Sequence, residues 1–373
     1  MKKMIIIVDD IWENSNQVWG FDLFAKYGFS LEIWRVGSLT IGTKIWEKPS
    51  EKYKTLTIQN IMDMRKKIVA RSIQRPLYMF YITGRSYFDE EKVLIKLLGG
   101  QYCTVSIAPL GSRSDCIRYQ EVKAISKHWM DRFPAKYNFL GADIHKCALH
   151  SNREMESDRN VIIHIYDYDC YIKNQNIETD IDYKYILFFD QNFLEHKDQV
   201  NFDVRKWIPN EEKYIQQMKI FLEKVEKDFN LPIVVAAHPT AKKEDLKRIY
   251  GNREIVCGNT CGYTKKADFV ITFNSGAINY AVLYKKPILI WTCDQLKNTD
   301  LYLNWQHIKA KRLKARILDI SKDITNVNIP DYFTNPCNYE EFLKFITGNN
   351  NENRTFFEIV VDYLTGTGRK QTE

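Results

Sequence analysis

The sequence predicts an α/β protein of two Rossmann-like domains, each a parallel sheet wound by helices, facing one another across a cleft. Three observations predict it. Short apolar runs alternate with amphipathic stretches along most of the chain, the pattern of parallel sheets with helical crossovers. The alternation lapses once, over the polar segment "YIKNQNIETDIDYK" (171–184), and then restarts. The chain's 373 residues, 45% of them hydrophobic, are enough for two medium-sized cores. We therefore expect an N-terminal domain over 1–175, a C-terminal domain over 185–335, and closing helices with a tail over 336–373.

The elements follow in order. "KMIIIV" is the first strand, "NQVWGFDLFAKYG" a helix stopped by Gly28, and "SLEIWRV" the second strand. "IQNIMDMRKKIVARS" is a helix, "PLYMFYIT" a strand, "EEKVLIKLLGG" a helix ending in glycine, and "QYCTVSIA" a strand. Residues 111–160 read as loops with a helix near 119–132, and "NVIIHIYDYD" reads as a strand. After the polar break, "YILFFD" restarts the pattern. "NEEKYIQQMKIFLEKVEKDFN" (210–230) is an amphipathic helix whose stripe is Ile215, Met218, Leu222, Val225 and Phe229. Then come the strand "IVVAAH", the helix "KEDLKRIYG", the strand "REIVC", a short helix near 262–266, the strand "DFVITF", the helix "GAINYAVLY" and the strand "PILIW". "YEEFLKFITG" and "NRTFFEIVVDYLTG" read as two closing helices.

Composition narrows the class. No apolar run reaches the ~18 residues of a spanning helix. The opening "MKKMIIIVDD" begins like a signal peptide, but its apolar stretch is short, runs into Asp9 and Asp10, and has no cleavage site after it. A cytoplasmic protein is expected. Eight cysteines are scattered without a CxxC pair, which fits thiols in a reducing compartment better than a zinc site. The net charge of +7 is spread out, with one denser patch at "IKAKRLKAR" (308–316) that reads as a solvated face. No nucleic-acid-binding module accompanies it.

Ligands of open parallel sheets bind beyond the carboxyl ends of the strands, so the residues that follow each strand of the second half are the candidates. His238-Pro239-Thr240 ends one strand. Pro239 holds His238 extended, and an imidazole there can donate to a phosphate oxygen. In "TFNSGAINYAVLYKKPILIW", Asn274 or Ser275 is expected to cap a helix, and the N–H groups of Gly276 and Ala277 form an anion site. In "CGNTCGYTKKADF", Thr260 lies between Gly258 and Gly262. Asp190 and Gln191 follow the restart strand, with His196 and Asp198 beyond. Each has a plainer alternative: a histidine ending a strand, a capped helix, turn glycines, a polar loop. Asp167-x-Asp169 has the spacing of a metal-binding pair, at what reads as a strand end, and Arg85 and Arg113 could meet an acidic ligand.

Taken together, a strand ending in His-Pro, a Gly/Thr loop, and strand–Asn-Ser-Gly–helix–"KKP"–strand resemble the donor half of GT-B-type glycosyltransferases, over about 185–292. The pattern is most similar to bacterial surface-polysaccharide transferases such as the sialyltransferases and Kdo transferases; the polymerases of alditol phosphates share it. Asn274-Ser275-Gly276 stands where sialyltransferases have two serines. The resemblance implies a nucleotide-activated sugar donor, CMP- or UDP-linked, bound by the second domain, and a glycan or lipid-linked acceptor bound by the first. It implies no cofactor, no metal, and a peripheral contact with the inner membrane. His238, Pro239, Thr240, Thr260, Asn274, Ser275, Gly276, Ala277, Asp190 and Gln191 would then hold the donor. A base must take the acceptor's proton, and "VDDIWEN" offers Asp10, with Asp9 and Glu13, directly after the first strand. Three other readings stay open: a nucleotide-sugar epimerase on the same scaffold, an alditol-phosphate transferase, and a nucleotide-binding protein without catalysis.

Overall fold

The computed structural model describes residues 2–8, 19–40, 52–81, 88–106, 132–141, 159–194, 207–239, 241–296, 299–348 and 353–366. The chain forms two compact units, Met1–Asp169 with Phe345–Glu373, and Cys170–Lys344. Each is built on a parallel sheet, so the expected α/β class with two Rossmann-like halves is the one observed.

The first unit's strands are β1 (Lys2–Val8), β2 (Phe29–Arg35), β3 (Lys54–Thr57), β4 (Leu77–Phe80), β5 (Gln101–Ser106), β6 (Asn138–Gly141) and β7 (Asn160–Ile163). They lie in the order β3-β2-β1-β4-β5-β6-β7. The described helices around them are α1 (Phe21–Lys26), the single turn α2 (Gly37–Thr40), α3 (Ile61–Arg71) and α4 (Asp89–Leu97). Asn60 caps α3 by accepting the Asp63 N–H at 2.9 Å. The strands β3 and β6 had not been expected. "KTLT" and "NFLG" are too short and too mixed to stand out as apolar runs.

One expected strand is corrected. "NVIIHIYDYD" is strand only to Ile163, and "YDYDCYIK" forms helix α5 (Tyr166–Lys173), followed by a 3-10 turn. The Asp167-x-Asp169 pair therefore lies on a helix rather than at a strand end. The segment expected to be a polar break is ordered over its first residues.

The second unit holds β8 (Ile186–Phe189), α6 (Glu211–Phe229), β9 (Ile233–Ala236), α7 (Lys243–Tyr250), β10 (Glu254–Val256), α8 (Thr260–Lys266), β11 (Val270–Thr272), α9 (Ile278–Leu283), β12 (Ile288–Thr292), α10 (Asp300–Leu313) and β13 (Ile317–Asp319), and α11 (Glu340–Thr347) begins in it and ends in the first. Its strand order is β10-β9-β8-β11-β12-β13. Every strand of the inner four is buried on both faces, which is why they read as unbroken Ile/Val/Phe/Leu runs. Helix α6 buries Tyr214, Met218, Phe221, Leu222 and Val225 against one face; Asn210 caps its start and Asn230, at φ +50°, ends it.

The last helix, α12 (Phe356–Thr365), belongs to the first unit. Thr355 and Glu358 form a capping box at its start. Phe356, Phe357, Val360, Val361 and Leu364 pack into the core of Met4, Ile6, Phe24, Met79 and Tyr81. A Cβ on Gly20, which adopts φ +70°, would sit 2.5 Å from the Phe357 ring, so this close approach requires glycine.

Candidate functional site

In both units the strand order reverses between the first and fourth strands, and the carboxyl ends there form the crevice where open α/β sheets bind ligands. In the second unit that place lies between β8 and β11. The register sets Phe189 opposite Ala236 and Ile271 opposite Phe188. Asp190, Ala237 and Phe273 therefore leave the sheet at the same edge.

Two consecutive side chains brace the two sides. Asp190 is buried. Its Oδ2 accepts the His238 N–H at 3.0 Å, and its Oδ1 accepts the Asn192 N–H at 3.1 Å and the Tyr250 hydroxyl at 2.8 Å. Burial pushes the Tyr250 phenol well above its ordinary range, so it stays a donor to the carboxylate. Gln191 turns the other way: its Oε1 accepts the Asn274 N–H at 2.7 Å. The ladder of β9 does not continue through His238, because the His238 N–H is taken by a side chain. The chain then turns, with the Ala241 N–H donating to His238 O at 2.9 Å. His238 is half-buried and Pro239 exposed; Thr240 lies outside the described residues.

The turn after β11 is held from below. Gln306 Nε2 donates to Phe273 O at 3.0 Å and to Trp291 O at 2.8 Å. Lys309, only 9% exposed, donates from Nζ to Asn274 O at 2.9 Å and to Ser275 O at 3.2 Å. Both lie on α10, three residues apart and hence on one helical face. The patch expected to be solvated thus contributes a buried cation directly behind the turn.

Within the turn, the Ser275 N–H donates to Thr272 Oγ1 at 3.2 Å and the Ala277 N–H to Ser275 Oγ at 3.2 Å. The first N–H groups of α9 fold back in i→i+3 bonds: Ile278 to Ser275 O, Asn279 to Gly276 O, Tyr280 to Ala277 O. This corrects two expectations. The N-cap is Ala277, not Asn274 or Ser275, and the Ala277 N–H is already engaged. With six residues, α9 adds little dipole, so whatever anion affinity the site has must come from the turn itself. Gly276 is at the exposed tip. Its N–H has no acceptor among the described residues, and a Cβ there would meet no heavy atom within 4 Å.

Thr260 opens α8, its hydroxyl donating to Gly258 O at 3.2 Å. It follows β10, two strands out from β8, which is roughly 10 Å at ordinary strand spacing. The glycines beside it have structural reasons. Gly258 adopts φ +92°, and a Cβ on Gly262 would sit 2.4 Å from the capping Asn259 amide.

Asp169 belongs to the first unit. A carboxylate only accepts, so the buried His164 donates its Nε2–H to Asp169 Oδ1, at 2.6 Å. The same oxygen accepts the Phe356 N–H at 2.8 Å. Asp9, Asp10, Glu13, Arg85, Arg113, His196 and Asp198 lie outside the described residues. Two of the residues that hold the turn, Gln306 and Lys309, had not been expected. The one signal for them was their three-residue spacing in "QHIK".

Among the described residues no helix is long and apolar enough to cross a membrane. No family model and no curated protein matches the chain. Solved structures do. MurG of Acinetobacter baumannii aligns over 98% of this chain and 100% of its own at a TM-score of 0.54, with 10% identity. An S. aureus MnaA–UDP co-structure aligns over 100% and 99% at 0.52, with 16% identity. UDP-GlcNAc 2-epimerase from Methanocaldococcus jannaschii aligns over 98% and 100% at 0.50, with 14% identity. At these identities the likeness is one of fold, and the fold of this chain is GT-B-like.

Proposed function

We propose that the protein is a glycosyltransferase that uses a nucleotide-activated sugar, with the donor's phosphate held at the turn Asn274–Ala277. One observation carries the proposal. At the point where the strand order reverses, an exposed glycine N–H, that of Gly276, is presented by a turn braced by three side chains, Gln191, Gln306 and Lys309. A rigid backbone donor with open space above it suits a phosphate oxygen. The Ser275 hydroxyl and the His238 imidazole would add donors from either side. The MnaA structure solved with UDP supports a uridine-linked donor over a cytidine-linked one.

In the proposed reaction the acceptor hydroxyl attacks the sugar's anomeric carbon. The bond from that carbon to the donor phosphate breaks, the electron pair leaves on phosphate, and the proton passes to a carboxylate. The proposal assigns that base to Asp10, with Asp9 and Glu13 beside it, in the segment that follows β1. The charge gathering on the leaving phosphate would be met by Ser275, Gly276 and His238. Transfer to a glycan or lipid-linked acceptor of a bacterial surface polysaccharide is the proposed setting.

Epimerisation of the nucleotide sugar is the second reading, favoured by the full-length fold likeness to a UDP-GlcNAc 2-epimerase. Turnover with no acceptor present would decide for it. The donor site itself is tested by calorimetry with CMP, CDP, UDP, GDP and TDP on wild type, His238→Ala and Gly276→Val. A Cβ on Gly276 enters open space, so Gly276→Val should leave the thermal midpoint nearly unchanged and weaken binding of the preferred nucleotide about ten-fold or more. Binding of none of the five by the wild type would sink both readings.

A further inference from the structure

The outer face of α3 carries an unusual set of side chains. Among the described residues nine large apolar or aromatic side chains are exposed, and five belong to α3, the 3-10 turn Ser72–Gln74 after it, and the end of α4. Met62 is 58% exposed, Val69 51%, Ile73 93% and Leu97 66%, with Ile61 beside them. Met62, Val69 and Ile73 are spaced seven and four apart, so they line one stripe along the whole length of the helix. Met64 and Ile68 point the opposite way, into the core with Ile95. The end of α4 adjoins this stripe: a Cβ on Gly99 would lie 3.8 Å from Arg75 Nε.

Cations are interleaved with the apolar groups. Residues 61–75 contain Arg65, Lys66, Lys67, Arg71 and Arg75; of these, Arg65 pairs with Glu90 and Glu91, Lys67 with Asp63 and Arg71 with Glu32. Lys66 is exposed within the stripe, and Arg75 is exposed at its end. Lys3, near the start of β1, joins them by donating to Gln74 Oε1 at 2.5 Å.

We infer that this face of α3, with the turn after it and the end of α4, docks on an anionic lipid surface. An apolar stripe flanked by Lys and Arg is what a helix lying in the headgroup plane requires: the apolar tips enter the acyl boundary and the cations meet lipid phosphates. A second copy of the chain is the weaker occupant, because a two-fold contact through this stripe would set the same cations against each other. The inference stands apart from the donor reading and uses none of its residues.

Co-sedimentation of the full chain with vesicles tests it, using phosphatidylcholine alone and with roughly a third phosphatidylglycerol. The wild type should bind the anionic vesicles, release them as salt is raised, and ignore the neutral ones. The double variant Val69→Asp/Ile73→Asp should lose binding. Lys66→Glu should weaken it by more than about five-fold, since each cation near the surface contributes about that factor. Ile220→Asp, at an exposed apolar position on α6, should bind as the wild type does. All four positions are exposed, so thermal midpoints should stay together and serve as the folding control. Equal binding by the wild type and the double variant, or no preference for anionic vesicles, would overturn the inference. So would loss of a wild-type dimer in the double variant without loss of lipid binding.

Discussion

Asp190 and Asp169 are two buried carboxylates that do the same physical work in different units. Each accepts a backbone N–H from a segment far along the chain, His238 for one and Phe356 for the other. Each also accepts a side-chain donor, Tyr250 or His164. They differ in what they hold in place. Asp190 fixes the loop that carries the candidate site, whereas Asp169 fixes the first turn of α12 to the first unit's core. A buried aspartate is thus not a ligand by default, and its role is read from the element whose N–H it accepts.

That comparison is broken most directly by removing each carboxylate. Asp190→Ala leaves His238 N–H, Asn192 N–H and the Tyr250 hydroxyl without their acceptor, and should cost about 3 kcal/mol or more. Asp169→Ala orphans two donors and should cost about 2–3 kcal/mol. Urea midpoints measure both. Nucleotide affinity separates them: it should fall with Asp190→Ala and stay within about two-fold of wild type with Asp169→Ala, as expected for independent sites. Equal loss of affinity in the two variants would undo the distinction.

Lys309 sharpens the comparison from the other side, since it braces the same turn with a cation and carbonyl acceptors. Lys309→Met keeps much of the buried stem but leaves Asn274 O and Ser275 O without their donor. It should destabilise by about 1–3 kcal/mol and weaken nucleotide binding more than binding of the bare nucleoside. If diphosphate and nucleoside affinities fall equally, Lys309 supports the turn's shape and contributes nothing through its charge.

The parts of this molecule that were legible in the sequence are those whose burial is two-sided. The strands β1, β8, β9, β11 and β12 are unbroken apolar runs because helices cover both faces, and α6 shows its stripe because one face meets water. The strands β3 and β6 and the helix α10 were not legible for the converse reason. Strand β3 is an edge strand with no fully buried side chain. The inward face of α10 includes Gln306 and Lys309, polar groups that a hydrophobicity pattern assigns to solvent. Of the candidate site, Ser275 and Gly276 were visible as a strand-to-helix turn, and Asp190 and Gln191 as strand-end residues, though as contacts to a donor and not as braces. Gln306 and Lys309 were not visible, because they act on backbone carbonyls that no side-chain pattern reveals.

Asp294 marks the lower limit of the comparison. Like Asp190 it accepts three donors, here Lys213 Nζ at 2.5 Å, Gln217 Nε2 at 2.9 Å and Gln295 Nε2 at 2.9 Å. Its side chain is 39% exposed, however. The Lys213 hydrogen bond, followed by those of Gln295 and Gln217, holds its carboxyl at about 2, below the ordinary 3.8. A depressed carboxyl pKa stabilises the fold above the unfolded value, and that stability is lost as pH falls through the folded one. The contribution is therefore complete above about pH 4 and gone near pH 2. Solvent screening at this exposure reduces it to about 0.5 kcal/mol. Asp294→Asn should accordingly lower the urea midpoint slightly at neutral pH, and the gap to wild type should close on acidification. A loss at neutral pH as large as that of Asp190→Ala would show that the number of donors, and not burial, sets the strength of these ties.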